Sequence, residues 1–473
     1  MSRIDVAMDP FLRSALAADS AVLPLDAFFG WLEDQRARRS LAVRRVAFAD
    51  LDQWRFGEVP LRLEHRSGKF FTIEGLRVES DFGPKTTWDQ PIINQPEIGI
   101  LGLIARDFGG IRHFLMQAKM EPGNINGIQM SPTVQATFSN YSQVHGGRRP
   151  SYNSYFTEPG HACVLVDRLL GEQGSRFLKK RNRNMIVEVT DDIAVEDGFC
   201  WLTLGQIKQL MRVPNLVNMT ARSVLSCVPF ARPAAASLPD HPRLSGFGRD
   251  LAASLQAGEA ACHSDQDLLN WLTDLRARHQ VRLERRPLDA LAGWTLGEDE
   301  LCHESGRHFS VIAVEVEAIG REVTRWSQPL LHHSGDGLNG FLLQRIDGVL
   351  HFLVRACMFP GNSQLFELGS TVSRANARAH FGAAEAPAFL EWFRAPPPAW
   401  VRFATVQSEE GGRFHHFENQ YVMLEVPEEI DLDLPPSYRW MTLGQLNTFN
   451  QHGHVNIEGR NLLACLDFSD MAD

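Results

Sequence analysis

The chain repeats itself at long range. Trp88-Asp89-Gln90-Pro91 returns as Trp326-Ser327-Gln328-Pro329, and His113-Phe114-Leu115 as His351-Phe352-Leu353. Pro122-Gly123-Asn124 returns as Pro360-Gly361-Asn362, and Thr133-Val134 as Thr371-Val372; all four matches lie 238 positions apart. Trp31 and Trp54 match Trp271 and Trp294, and Trp201-Leu202-Thr203-Leu204-Gly205-Gln206 matches Trp440-Met441-Thr442-Leu443-Gly444-Gln445, at nearly the same offset. Arg222 matches Arg460. The unit is therefore about 200 residues, far too long for a solenoid repeat, and the 473 residues divide as a duplicated domain. The expected division is an N-terminal extension over 1–24, a first repeat over 25–230, a linker over 231–263 and a second repeat over 264–473. Ala231-Arg232-Pro233-Ala234-Ala235-Ala236 has linker composition, and a short helix from about Asp250 is expected to follow it.

Within a repeat the pattern reads helix, strands, helix. Phe28–Arg39 is expected to be helical. Strands are expected at 69–78, 98–106, 111–120, 129–138 and 184–189, with Asp107-Phe108-Gly109-Gly110 as a hairpin turn. Thr203 should open a helix running to Arg212. These elements imply an α/β (α+β) class, a mixed sheet flanked by helices.

Comparing the copies separates packing from chemistry. On the strand around His113, alternation places Phe114, Met116, Ala118 and Met120 on one face and His113, Leu115, Gln117, Lys119 and Glu121 on the other. The second copy keeps the apolar face as Phe352, Val354, Ala356 and Met358. Its other face replaces Gln117, Lys119 and Glu121 by Arg355, Cys357 and Phe359. An amine and a carboxylate are lost while the packing survives, which points to Lys119 and Glu121 as functional rather than as a wet ion pair. His113 persists in both copies and reads as a structural hydrogen-bonding residue. A second polar row, Gln129, Ser131, Thr133, Gln135 and Thr137, becomes Glu367, Gly369, Thr371, Ser373 and Ala375. Such a row is expected to face water or a polar ligand.

Several function classes are excluded. With 47 basic and 57 acidic residues the net charge is −10, which suits neither nucleic acid nor an anionic membrane as partner. Seven scattered cysteines, none in a CxxC pair, fit neither a disulfide framework nor a structural zinc site. No apolar run is long enough to span a bilayer, and Met1–Asp26 lacks a signal layout. The expectation is a soluble cytoplasmic protein. No phosphate-binding loop, dinucleotide fingerprint or GxSxG elbow is present, and the adjacent pairs His332-His333 and His415-His416 lack metal-ligand spacing.

Trp88-Asp89-Gln90-Pro91-Ile92-Ile93, the run from Leu115 to Asn124, Ser131-Pro132-Thr133-Val134-Gln135-Ala136-Thr137, and Gly174-Ser175-Arg176-Phe177 with Arg181-Asn182-Arg183-Asn184 resemble the NDP-hexose 2,3-dehydratase family of deoxysugar biosynthesis over nearly the whole chain. The resemblance implies tandem modules related in fold to Nudix hydrolases, a homodimer, and one working and one vestigial sugar-nucleotide site, with repeat 1 catalytic. It implies neither metal nor redox cofactor. The glutamate-rich Nudix box is missing, which makes a metal-dependent pyrophosphatase a poorer reading; a non-catalytic sugar-nucleotide-binding protein is the other alternative.

The implied substrate is a dTDP-4-keto-6-deoxyhexose, and the implied product an unstable 3,4-diketo-2,6-dideoxy sugar handed to a 3-ketoreductase. That chemistry needs a base at C3, a proton for the departing C2 hydroxyl and a partner for the C4 oxyanion. Under the resemblance Glu121 is a general base or acid, and Lys119 serves the C4 oxygen or the leaving hydroxyl. Gln117, Gln135, Thr133 and Asn124 orient the hexose, with Gln129, Ser131 and Thr137 beside them. Tyr141 and His145 are further proton-transfer candidates. Arg176, Arg148, Arg149 and Arg183 are candidates for the diphosphate, and Trp88 with Gln90 for a wall against base or sugar.

Overall fold

The computed structural model describes residues 9–137, 150–230, 244, 246–319, 323–333, 335, 337–374 and 387–469. Each repeat builds one large mixed sheet of seven strands. In the first, the strand order is Cys163–Gly171, Arg181–Glu188, Gly99–Phe108, Ile111–Met120 and Phe199–Thr203, with Arg181–Glu188 and Gly99–Phe108 parallel. Two short strands attach separately: Ile128–Ser131 pairs with Ile111–Met120, and Val134–Ala136 with Gly99–Phe108. The second repeat reproduces this around Gly337–Ile346 and Val349–Cys357. The expected mixed α/β class and hairpin are present, with Ile104 opposite Leu115, but pairing runs on to Phe108 and Ile111, so the turn is Gly109-Gly110 rather than 107–110.

The motifs repeated between the copies have local work to do. Thr203 and Thr442 each accept from the N–H three residues on, while Gln206 and Gln445 reach back to the threonine N–H. The TLGQ run is thus a capping box, repeated because each copy must start the same helix. The linker helix spans Gly246–Gln256, somewhat upstream of expectation, and it duplicates Pro10–Ala15. Ser14 donates to the Arg112 carbonyl and accepts from Leu204 N; Ser254 does the same with Leu350 and Leu443. His113 bonds the Ile111 carbonyl and Ser20, and His351 the Val349 carbonyl and Cys262 N, as a structural residue should.

The two smaller sheets are built by exchange. Ser40–Val46 of the first repeat pairs antiparallel with Ser310–Ile319 of the second. Val281–Arg286 of the second pairs with Thr72–Ser80 of the first. A second exchange is tighter still. Gly123 N donates to the Gly411 carbonyl at 2.7 Å, and His416 N donates to the Gly123 carbonyl at 2.9 Å. Gly361 repeats this with Gly174 and Lys179 at 2.7 and 2.8 Å. An added Cβ on Gly123 would overlap the Phe414 carbonyl oxygen, and one on Gly361 the Phe177 carbonyl oxygen. The Pro-Gly-Asn turn of each repeat is therefore plugged into a loop of the other.

Between the large sheets, the helices Met219–Leu225 and Ile457–Ala464 pack together and bury Arg222 and Arg460. Arg222 donates to the Val217 and Ser408 carbonyls and to Gln407 and Asn461, so its charge is buried with its donors occupied. The main apolar core runs without a break through residues of both repeats, from Phe114 and Leu202 to Phe341 and Phe352.

Gly123→Ala and Gly361→Ala must each separate two backbones, so each should destabilise by about 3 kcal/mol or more. Gly109→Ala, whose Cβ would meet open space, is the comparison; its cost should be smaller, limited to that of a positive φ. Thermal unfolding of the three variants measures the difference.

Candidate active site

Lys119 is the last but one residue of the strand Ile111–Met120, and Glu121 follows that strand into the Pro-Gly-Asn turn. Both line a cavity of about 980 Å³. Lys119 Nζ stands 3.6 Å from Glu121 Oε1. Gln135, on the short strand beside Gly99–Phe108, donates to Glu121 Oε1 at 3.0 Å and to Glu410 Oε1 at 3.4 Å. Asn218 and Thr220 donate to the Gln135 amide oxygen at 3.3 and 3.0 Å, which turns its NH2 towards the carboxylates. The second oxygen of Glu121 is buried without a hydrogen-bond partner.

Glu410 belongs to the second repeat. It arrives on the loop that receives Gly123, together with Gly412 and Arg413. Trp326 and Gln328 arrive on Arg325–His332. Gln328 accepts from the Trp326 indole N–H at 2.9 Å and donates to the Gly412 carbonyl at 2.9 Å, locking wall to loop. Arg413 lies over the Phe71 ring at 4.1 Å and donates to Gln95. Lys180, which donates to the Glu97 carbonyl, and Glu172, bonded by Asn182, complete a strongly charged lining.

Burial governs the titration here. It pushes Glu410 up to about 7, with the Glu121 charge adding to the effect and Arg413 opposing it. Burial also brings Lys180 down to about 8, against the pull of Glu172 and Glu97. Such shifts in a cleft mark groups able to exchange protons near neutral pH.

Not every expected residue reaches this cavity. Gln117, Lys119, Glu121, Thr133, Gln135 and Thr137 do. Thr133 is nonetheless engaged by backbone: it donates to the Leu115 carbonyl and accepts from Ile104 N, and Thr371 does the same in the other repeat. Asn124 instead closes its own turn onto the Gly127 carbonyl at 2.9 Å. Gln129 is buried against Ser408, and Ser131 bonds the Pro132 carbonyl. The expected single strand breaks at Pro132-Thr133 and its halves join different partners, so one alternation does not run through the row.

Trp88 and Gln90 bond each other, and Gln90 donates to the Ser175 carbonyl. They lie away from Lys119, as does Arg176, which stacks on Phe309 near Glu409 and Glu458. Arg183 pairs with Asp167 on the surface. The reason is the exchange: the wall and loop of each repeat serve the sheet of the other. Tyr141, His145, Arg148 and Arg149 lie outside the described residues.

Sequence reading missed Glu410, and with it the cavity role of Arg413, Trp326 and Gln328. A signal existed. Glu172-Gln173-Gly174-Ser175-Arg176 matches Glu409-Glu410-Gly411-Gly412-Arg413, so the second copy carries a carboxylate that the first lacks. On the counterpart face Cys357, Glu367 and Glu409 are buried. Burial pushes Cys357 up to about 11 and both glutamates up to about 7.

The family model described as NDP-hexose 2,3-dehydratase matches residues 25–228 and again 265–466. A dTDP-4-dehydro-6-deoxy-alpha-D-glucopyranose 2,3-dehydratase of Amycolatopsis orientalis is 44% identical over 466 residues, 97% of this chain and 93% of its own length. Proteins of the same name from Saccharopolyspora spinosa and Streptomyces violaceoruber are each 42% identical, covering 96% and 93% of this chain and 94% and 96% of their own lengths.

Glu409 makes the counterpart face testable by pH. Its carboxyl holds a proton more tightly folded, at about 7, than at its ordinary 4.5. Its contribution to stability is full below the ordinary value and lost as pH rises through about 7. Glu409→Gln does not titrate. The Tm of the unmodified protein minus that of Glu409→Gln should fall between pH 5 and pH 7.5 and level off above, as measured by calorimetry in matched buffers.

Proposed function

The chain belongs to the NDP-hexose 2,3-dehydratase family, and we propose that it dehydrates dTDP-4-keto-6-deoxy-D-glucose across C2 and C3 in deoxysugar biosynthesis. The observation that carries the reading is the convergence of Lys119, Glu121 and Gln135 inside a cavity large enough for a sugar nucleotide. The C3 proton is acidic because it lies next to the C4 ketone. Glu121 takes it; the electron pair moves into a C3–C4 enolate whose C4 oxygen faces the Lys119 ammonium. The enolate then re-forms the C4 ketone and expels the C2 hydroxyl. The resulting enol becomes the 3,4-diketo-2,6-dideoxyhexose. No electron leaves the substrate, so the reaction calls for no redox cofactor.

Gln117 and Thr137 are read as holding hexose hydroxyls, with Gln135 orienting the carboxylates, and Arg39, Lys180 and Arg413 are the lining cations that can meet the diphosphate. Trp326 is the wall for base or sugar. Repeat 1 (25–230) carries the working sheet, and repeat 2 (264–473) is vestigial as a sheet but supplies wall and loop. Each repeat is read as a Nudix-like module without its metal box. The enzyme works as a homodimer in the cytoplasm and hands its unstable product to a 3-ketoreductase. No helix of the described residues is long and apolar enough to cross a membrane.

The test is incubation with dTDP-4-keto-6-deoxyglucose, a 3-ketoreductase and NADPH, following NADPH loss. Turnover is expected; a purified, folded enzyme that consumes no NADPH overturns the reading. Glu121→Gln and Lys119→Ala should each lose roughly 100- to 10,000-fold in kcat while staying folded. Cys357→Ala should leave kcat within a few-fold and change stability instead.

In the same assay Trp326→Ala should raise KM by about tenfold, within the stacking energies of exposed aromatic platforms. Trp88→Ala should leave KM near its starting value. Equal effects of the two would place the wall on the wrong repeat.

A further inference from the structure

A proton must reach the C2 oxygen as it leaves, and the described cavity holds a group aimed at that task. We propose that Glu410, carried in by the second repeat, is the catalytic acid that protonates the departing C2 hydroxyl, opposite Glu121 as base. The assignment rests on the dehydration reading above and adds to it the source of that proton.

The geometry is a carboxyl pair on one amide. Gln135 offers a single NH2, and Glu121 Oε1 and Glu410 Oε1 both take it, at 3.0 and 3.4 Å. Asn218 and Thr220 hold the other end of that amide, so it cannot turn its oxygen inward. Glu121 is buried and Glu410 half-buried, and two carboxylates sharing one amide oppose each other's ionisation. The other titratable groups around Glu410 divide by sign. Lys119 and Arg413 favour its charged form, whereas Glu121 and Glu172 oppose it. Lys180 also feels the Glu410 charge, and Glu97 stands one step further out, beside Lys180 and Arg413. Burial outweighs the cations and pushes the Glu410 carboxyl up to about 7, which makes Glu410 able to give a proton near neutral pH.

Gly412 makes the approach feasible. A Cβ there would come within 2.5 Å of Glu410 Oε1 and 3.4 Å of Glu121 Oε1, between the two acids. The matching loop of the first repeat, which serves the counterpart face, has Ser175 at that place and Gln173 in place of Glu410. Neither can donate a carboxylic proton. At this loop position the acid is thus found only on the loop that the Lys119–Glu121 sheet receives.

The step balances. Glu121 gains the C3 proton. As the C2–O bond breaks, its electron pair takes the Glu410 proton and leaves as water. Ketonisation of the enol then returns a proton from Glu121 to C2, while the C3 hydroxyl gives its own to the Glu410 carboxylate. Both residues end as they began, and the net change is loss of one water.

A substrate whose leaving group needs no proton separates this role from any other. The C2-fluoro analogue, dTDP-2-deoxy-2-fluoro-4-keto-6-deoxyglucose, requires the same C3 abstraction but expels fluoride. Glu410→Gln should slow dehydration of the natural substrate roughly 100- to 10,000-fold, yet release fluoride within a few-fold of the unmodified rate. Glu121→Gln should lose both reactions. Fluoride release also reports that the Glu410 variant is folded; if Glu410→Gln fails a circular dichroism check, Glu410→Ala is carried through the same pair of assays. Near-unmodified dehydration by the Glu410 variant, or equal loss on both substrates in a folded variant, overturns the assignment. An unmodified enzyme inactive on both substrates would instead defeat the dehydration reading itself.

Discussion

Two backbones meet at Gly123 with no room for a side chain, and much of the molecule follows from that contact. The Pro-Gly-Asn turn of one repeat enters the loop of the other, and the arrangement is repeated at Gly361. Because the turn directly follows Glu121, the plugged loop is delivered beside it: Gly411 and Gly412 cannot dock without bringing Glu410 and Arg413. The exchanged strands Ser40–Val46 and Val281–Arg286 fix the smaller sheets against the same partners. A site that belongs to the first repeat by its sheet is therefore completed by the second.

This exchange makes each copy of a duplicated protein depend on the other even where their two faces differ. Cys357 and Phe359 have replaced the amine and carboxylate of the second sheet, but the second loop and wall cannot drift freely, since they line the first cavity. The drift is complementary: the first repeat's own loop carries Gln173 where the second carries Glu410. Each sheet and the loop it receives have changed together, as parts of one pocket. The buried acids Glu409 and Glu367 on the counterpart face lie beside Arg222 and Arg460, the charges at the centre of the interface. Removing one member of such a cluster would leave another uncompensated.

Much of the fold was legible because it depends on short-range rules. The hairpin at Gly109-Gly110, the Thr203 helix start and the apolar face of Phe114, Met116 and Ala118 follow from turn chemistry, capping and alternation. Glu121 and Lys119 stood out in the sequence because their counterparts differ, and the structure brings both to one cavity. The polar row from Gln129 to Thr137 was misjudged because Pro132 interrupts the ladder, and alternation holds only while one strand continues. Trp88, Gln90 and Arg176 were assigned to the Lys119 cavity on the assumption that each repeat walls its own pocket.

The sequence by itself determined the duplication, the class of sheet and the family, and singled out the pair Lys119–Glu121, since all of these are written in residue types and their spacing. Only the tertiary structure decided which repeat's tryptophan, arginine and second glutamate face that pair. Two copies of one sequence can pack with their own loops or with each other's, and the local propensities of both arrangements are the same. The choice lies in contacts between residues some 240 positions apart, such as Gln328 with Gly412 and Gly123 with Gly411, and no periodicity within a single segment records it.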